Sequence, residues 1–438
     1  MRPSVLLITI DTLRADHLGA YGYPEPVSPS IDALAARGMV YERAVAASSR
    51  TAPSHASIFT SRWVRDHSIA WYNGYSRLGN EPTIAAVLLA NGYSTAAFVS
   101  NTVLSRRMGL TRGFQVYDDD LPEKETNRAV FERTAQGTTE RALAWIAQTH
   151  GPWFAWVHYN DPHGPYKPPP PYDSGGPFTG VARGAAQDVP ERPLSVVDDP
   201  SGAGGIPAYQ KLDGLSLPRD YRRRYAGEIR HLDDWLGRLA AEAERAAGAA
   251  GLVLVLTADH GESQGEEGIF FSHGTGTTPA VAHVPLIVVA PGLTPGRSRD
   301  LVHHVDVLPT ILDLAGVAPR PDAKGVSLAR LAAAGTPPPE RALFTDVGTE
   351  VSGYEGDRIE RAHVQGDGST AHSSFRWRPD GRWEPAAADA GLRARVDAYA
   401  ARKAREQVAD APSADEIARL RALGYVVIEE DEAAPKAR

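Results

Sequence analysis

Four side chains, Asp11, Thr51, Asp259 and His260, carry the chemistry that can be read from this sequence. Asp11 stands in the run Ile8-Thr9-Ile10-Asp11-Thr12, and Asp259 and His260 stand in Thr257-Ala258-Asp259-His260-Gly261-Glu262. Two carboxylates and an imidazole are the ligand types a divalent cation takes. Thr51 opens Thr51-Ala52-Pro53-Ser54-His55-Ala56-Ser57. Threonine suits a helix N-cap and proline suits the first turn. The open N–H groups of such a turn favour an anion, phosphate or sulfate. A threonine hydroxyl is too weak an acid to attack unaided, whereas a coordinated cation turns it into a nucleophile near neutral pH. Thr51 therefore makes sense as a nucleophile only beside Asp11, Asp259 and His260. Alone, the motif is a plain helix start.

The elements that would bring them together follow from the apolar pattern. The apolar runs within 4–10 and over 252–256 predict buried strands, and 94–99, 153–159 and 284–289 also read as strands. Between them, helices are expected near 30–35 (Ser30 as N-cap, Gly38 as stop), over 83–90, 129–148, 221–247 and 306–314. This βα rhythm predicts an α/β fold with a large, mostly parallel sheet covered by helices. In such sheets, ligand sites form beyond the carboxyl ends of the strands, where Asp11 and Asp259 stand.

Residues 1–335 are expected to form the main domain. Within it, 164–218 is rich in proline and glycine, including Pro168-Pro169-Pro170-Pro171, and reads as a long surface excursion suited to a lid. Residues 340–438 are expected to form a smaller α+β part and tail, with short antiparallel strands over 341–385, a helix over 388–425 and frayed residues 429–438.

Composition narrows the class. The chain has 438 residues, 42% of them hydrophobic and 23% charged, which fits a globular protein. The net charge of −8 and the lack of a long basic block argue against nucleic acid as a partner. Arg222-Arg223-Arg224 is the tightest basic cluster and reads as a solvated helix face. There are no cysteines, so disulfides and thiolate chemistry are excluded. No window reads as a signal peptide or a transmembrane helix, and a cytoplasmic location is the expectation.

Further runs complete a pattern: Asp11 to Gly19, Thr51 to Thr60, Asp161-Pro162-His163-Gly164-Pro165-Tyr166, Ser272-His273-Gly274, Val284-Pro285-Leu286 and Asp306-Val307-Leu308-Pro309-Thr310. Together, over residues 4–316, they resemble the sulfatase-like branch of the alkaline phosphatase superfamily. The resemblance implies an alkaline phosphatase-like sheet and a metal-dependent ester hydrolase. It makes Asp11, Asp259 and His260 metal ligands with Thr51 beside them. His163 and His273 would contact the transferred group, protonate the leaving oxygen or bind a second metal. Asn101 and His55 would contact substrate oxygens. The cofactor would be a divalent ion (zinc, manganese or calcium), with a second ion possible, and His260 favours zinc or manganese. The substrate would be a small-molecule, glycan or lipid ester.

The departures from that pattern are as informative. Sulfatases carry a formylglycine, made from cysteine or serine, where Thr51 stands. Their usual arginine is His55, their lysine after the strand is replaced by Ser100 and Asn101, and their paired aspartates are reduced to Asp11, followed by Thr12. These changes resemble phosphoester-processing members, phosphodiesterases among them, and favour phosphate over sulfate esters. A phosphoethanolamine-type transferase and a non-catalytic anion-binding member stay as alternatives. Among the remaining residues, His158 suits core packing or function equally. Asp161 suits a turn or a second metal. Arg14 and Asp16 suit a bracing salt bridge, Glu262 would orient His260, and His67, His303 and His304 have weaker claims.

Overall fold

The structure, a computed structural model, describes residues 2–69, 76–121, 123–124, 131–378, 381–405 and 408–409. A buried strand must pair its backbone on both sides, and the apolar runs do so in one nine-stranded mixed sheet. Its strands are β1 (Ser4–Ile10), β2 (Met39–Val45), β3 (Ser94–Phe98), β4 (Val116–Asp118), β5 (Trp153–Tyr159), β6 (Leu252–Ala258), β7 (His283–Val284), β8 (Leu286–Val289) and β9 (Gly296–His303). The order is β7-β2-β8-β6-β1-β5-β3-β4, with β9 on β2. From β6 to β4 all neighbours run parallel. The expected strand over 284–289 is interrupted at Pro285, which has no N–H to give a ladder, and β8 runs antiparallel to both β6 and β2.

Register sets the site. Ile10 is level with Ala258 on one side and Tyr159 on the other. Asp11, Asp259 and Asn160 are thus the next residues off three adjacent parallel strands. The pairing continues into the loop, where Asp11 N–H donates to Tyr159 O (2.9 Å) and Asp259 N–H to Ile10 O (3.3 Å).

Two groups of helices flank the sheet. α1 (Pro29–Ala36), α4 (Ala135–Gln148) and α5 (Pro218–Ala247) pack together, as do α2 (Thr51–Thr60), α3 (Ile84–Ala90) and α6 (Val307–Leu314). α5 buries Tyr221, Tyr225, Ile229, Leu232, Leu236, Leu239 and Ala243, a stripe at three- and four-residue spacing. Several boundaries differ from expectation. Ser28, not Ser30, precedes α1, and the open N–H groups of Ser30 and Ile31 are taken by Asp233 of α5 at 2.8 Å each. α4 begins at Ala135, where Thr134 accepts from Gly137 N, and Phe131–Glu132 is a short strand instead of helix. Residues 129 and 130 lie outside the described residues.

The segment 164–218 is not a free surface loop. Tyr166, Ile206 and Gln210 are buried. Arg222, expected on a solvated face, is 1% exposed, because the excursion folds back to accept its hydrogen bonds at Gly180 O and Glu191.

The C-terminal domain is a five-stranded antiparallel meander: β10 (Leu343–Asp346), β11 (Glu350–Glu355), β12 (Arg358–Val364), β13 (Thr370–Trp377) and β14 (Trp383–Pro385), with helix α7 (Ala390–Ala400) packed against β11 and β12. The long helix expected over 388–425 ends at Ala400, and Val408–Ala409 pairs as a strand with Ser76–Arg77. The rest of that helix and the tail 429–438 lie outside the described residues. Among the described residues, no helix is long and apolar enough to cross a membrane.

Candidate active site

Asp11, Thr51, Asp259 and His260 come from three separate segments and meet at the carboxyl edge of the sheet, each 0% exposed. β1 and β6 deliver the two acids. Thr51 is the first residue of α2 and Arg50 holds the cap position, one residue from the expected cap. Thr51 Oγ1 lies 3.4 Å from His260 Nε2 and also bonds Asp11. His260 Nε2 is 3.7 Å from Asp11 Oδ1 and 3.5 Å from Asp259 Oδ2. Its Nδ1 donates to Gly261 O (2.9 Å), which fixes the tautomer with Nε2 turned to the acids.

The donor set fits a divalent ion. Asp11, Asp259 and His260 each offer a ligand atom within 4.8 Å of the others. A tetrahedral site with bonds near 2.0–2.1 Å has ligand–ligand edges of roughly 3.3 Å, close to the spacings found. Asp11 Oδ1 and Asp259 Oδ2 are buried with no hydrogen-bond partner among the described residues, a costly state for a carboxylate oxygen. Burial pushes the Asp11 carboxyl up to about 7, against the pull of His260. Burial, then repulsion from Asp11, raises Asp259. A cation between the two acids would reverse both effects.

The surrounding residues hold this set in place. Asn101, expected at the substrate, spends both amide hydrogens on Asp11 Oδ2 (3.2 Å) and Asn160 Oδ1 (2.8 Å), and Asn160 in turn donates to Glu132 (2.6 Å). His55, expected likewise, is on the buried side of α2. Its Nδ1 meets Thr51 O (2.7 Å) and its Nε2 meets Thr9 Oγ1 (2.9 Å). Burial depresses it to about 3, so it is a neutral brace. Trp156 Nε1 donates to the same Thr9 hydroxyl (2.9 Å). His158, buried and held down to about 4 by desolvation, places Nε2 3.7 Å from Asp11 Oδ2. Thr12 adopts φ 58°, a left-handed conformation that is costly for a β-branched residue. Its N–H points to Asp259 Oδ1 (3.3 Å) and its carbonyl accepts from the Tyr225 hydroxyl (2.7 Å).

His163 and His273 face one another, ring centroids 5.1 Å apart, and His273 lies 4.5 Å from the His260 ring. Glu262 serves His273, not His260 as the sequence suggested: it accepts from His273 Nδ1 and from the Tyr166 hydroxyl, at 2.9 Å each. Burial lowers the His273 imidazole to about 4. Arg14 braces the first loop as expected, pairing with Asp16 (2.9 Å), and also reaches Glu266 (2.7 Å) and Glu262 O (3.0 Å). Thr9, Asn160 and Tyr166 were missed from sequence. Thr9, a polar residue inside an apolar run, and Asn160, the polar residue that ends one, carry a signal there.

Comparison with known proteins fits this geometry. Human iduronate 2-sulfatase is 26% identical over 387 residues, covering 72% of this chain and 69% of the relative. A choline-sulfatase of Rhizobium meliloti (strain 1021) is 25% identical over 397 residues, covering 75% and 71%. Among solved structures, a phosphonate monoester hydrolase of Agrobacterium radiobacter superposes with a TM-score of 0.67 at 21% identity, over 91% of this chain and 94% of that one. The Sulfatase family profile matches residues 3–317, well over half of the sequence, and the chain belongs to that family.

Proposed function

We propose that this sulfatase-family protein is a metal-dependent hydrolase of phosphoric esters that works through a covalent intermediate on Thr51. The observation that carries this reading is the Thr51 hydroxyl, 3.4 Å from His260 Nε2 and bonded to Asp11, where a sulfatase of the resembled type would present an aldehyde hydrate. The name of the structural relative, a phosphonate monoester hydrolase, supports a phosphorus-centred substrate. Asp11, Asp259 and His260 would hold the ion, which when bound lowers the pKa of the adjacent hydroxyl and neutralises charge on the transferred oxyanion.

The chain's own groups supply the rest. Thr51 Oγ1 attacks phosphorus as its proton passes to Asp11, the carboxylate it already bonds. The bond to the leaving oxygen breaks as the Thr51–phosphorus bond forms. His273, its Nδ1–H held by Glu262, presents Nε2 to that oxygen; burial keeps the resting ring neutral, and the anionic ester bound beside it, together with Glu262, supplies the negative charge under which the ring takes up the proton it passes to the leaving oxygen. His163 contacts the transferred oxygens. Asn101 and His55 act as positioning residues, the first for Asp11 and the second for the turn that carries Thr51. Water then attacks phosphorus, giving a proton to His273 Nε2, and the bond to Thr51 Oγ1 breaks as that oxygen takes back the proton held by Asp11.

The test is a panel of phosphomonoesters, phosphodiesters and sulfate esters, assayed with zinc, manganese or calcium. Turnover should favour phosphoesters, and acid quenching should trap one phosphoryl group on the peptide containing Thr51. Thr51→Ala should lose at least about 10⁴-fold in kcat, as for other covalent nucleophiles. Preferential turnover of sulfate esters, with a trapped sulfuryl group, would replace the substrate assignment. Full metal-dependent activity in Thr51→Ala would overturn the mechanism.

A further inference from the structure

Asp161, Glu228 and His231 form a second cluster, separate from the acid pair. Each offers one ligand atom, all within 4.8 Å of one another. Glu228 and His231 are three residues apart on α5 and share a helix face. A Glu-x-x-His spacing is one by which helices present a carboxylate and an imidazole to the same ion. Asp161 meets them from the loop after β5, with Oδ1 3.4 Å from His231 Nδ1. The side chains of Asp161 and His231 are each 10% exposed. Polar atoms buried so far are normally paired. Yet Asp161 Oδ2 and His231 Nδ1 have no hydrogen-bond partner among the described residues. These two orphaned atoms belong to different residue types and to segments about 70 positions apart in sequence, and both lie within the cluster.

We propose that Asp161, Glu228 and His231 bind a second divalent cation that ties α5 to the loop carrying His163. Two carboxylates and one imidazole select a borderline ion of the zinc or manganese class over calcium. Asp161 lies between Asn160, which holds Asn101 and through it Asp11, and His163, which faces His273. An ion at Asp161 would thus fix the loop that supports both halves of the active site. The site is structural, and it does not depend on the chemistry assigned to Thr51.

Metal content of the purified full chain, loaded with zinc or manganese and dialysed, tests this. Two equivalents per chain are expected. His231→Ala and Glu228→Gln should each fall to one, and Asp259→Asn should also fall to one, by losing the other ion. The competing arrangement is His231 paired with the two carboxylates and no ion between them; it predicts metal content unchanged by His231→Ala. Should the α5 variants fail to fold, Asp259→Asn decides. One remaining equivalent, whose removal by chelator lowers the melting temperature, supports the site. No remaining metal and no chelator effect overturn it. Loss of Thr51-dependent turnover with the second ion retained would count against the proposed function alone.

Discussion

Glu262 accepts from His273 Nδ1 and from the Tyr166 hydroxyl at once; Glu262 and Tyr166 are buried and the His273 side chain is 4% exposed. That arrangement fixes the tautomer of His273 and supplies the negative charge an imidazolium needs. Glu262→Gln keeps an acceptor for Nδ1–H but removes the charge. General acid catalysis contributes about 10²–10⁴-fold, and its value depends on how badly the leaving group needs a proton. Glu262→Gln should therefore lower kcat about 10²-fold on alkyl phosphoesters with little change in KM, and much less on p-nitrophenyl esters. An equal loss on both substrates would reduce Glu262 to a packing role. At this scale the sequence was informative wherever a polar residue ended an apolar run, as at Asp11 and Asp259. Asn160 ends such a run too, but its partners Asn101 and Glu132, like the place of Tyr166, depend on β5 lying beside β1 and on the excursion folding inward, and no spacing along the chain encodes that. Adjacency in sequence pairs Glu262 with His260, whereas the loop turns its carboxylate to His273.

His303 shows how an element boundary is secured by an uncharged side chain. It ends β9, its Nδ1 accepts from Val305 N (3.2 Å), and its Nε2 donates to Phe344 O in β10 (3.0 Å). Asp306 Oδ2 accepts from His303 N in return (2.9 Å), which closes the turn before α6. Only neutral imidazole with the proton on Nε2 satisfies both bonds. Burial holds the ring down to about 3. Because the folded pKa is depressed, the native state binds fewer protons than the unfolded chain at pH values between the two. Stability is full above the ordinary histidine value near 6.5 and is lost progressively as pH falls from there toward 3. Between pH 7.5 and 5.5 this one group should cost about 1 kcal/mol. Chemical denaturation at the two pH values checks it: His303→Gln should lose about 1 kcal/mol less than the parent, and an identical loss would refute the assignment. Strand positions were legible because continuous apolar runs have few other uses. Helix starts were less so. α1 takes its cap from Asp233, some 200 residues away, and the apolar residues before Ala135 join a short strand, so local caps and periodicity pointed to the wrong residues.

The whole molecule joins the C-terminal sheet to the nucleophile's own helix. Arg65 follows α2, and its guanidinium binds Asp346 at the end of β10 (2.8 Å), with side chains 6% and 0% exposed. Arg65 also donates to Arg402 O (2.9 Å) and lies over the Tyr399 ring of α7. Asp346 N and the Thr345 hydroxyl donate to Ala47 O (2.9 Å) and Ala46 O (2.6 Å), just after β2. Val45 of the large sheet belongs to the same apolar cluster as Leu343, Tyr354, Ile359 and Trp377. The segment from β2 to Thr51 is therefore shared between the two sheets. Removing one partner of a buried ion pair costs about 3–5 kcal/mol, because the other charge stays buried. Asp346→Ala should destabilise the protein by about that amount. Since the pair bridges both sheets, the loss should appear as one cooperative transition, with activity disappearing along the same curve as the fold. If the C-terminal sheet were an appendage, Asp346→Ala would instead produce an early separate transition, through which metal-dependent turnover at Thr51 persists. Following activity and near-ultraviolet circular dichroism through the same thermal ramp distinguishes the two, because the tryptophans Trp153 and Trp156 report the large sheet and Trp377 and Trp383 the small one.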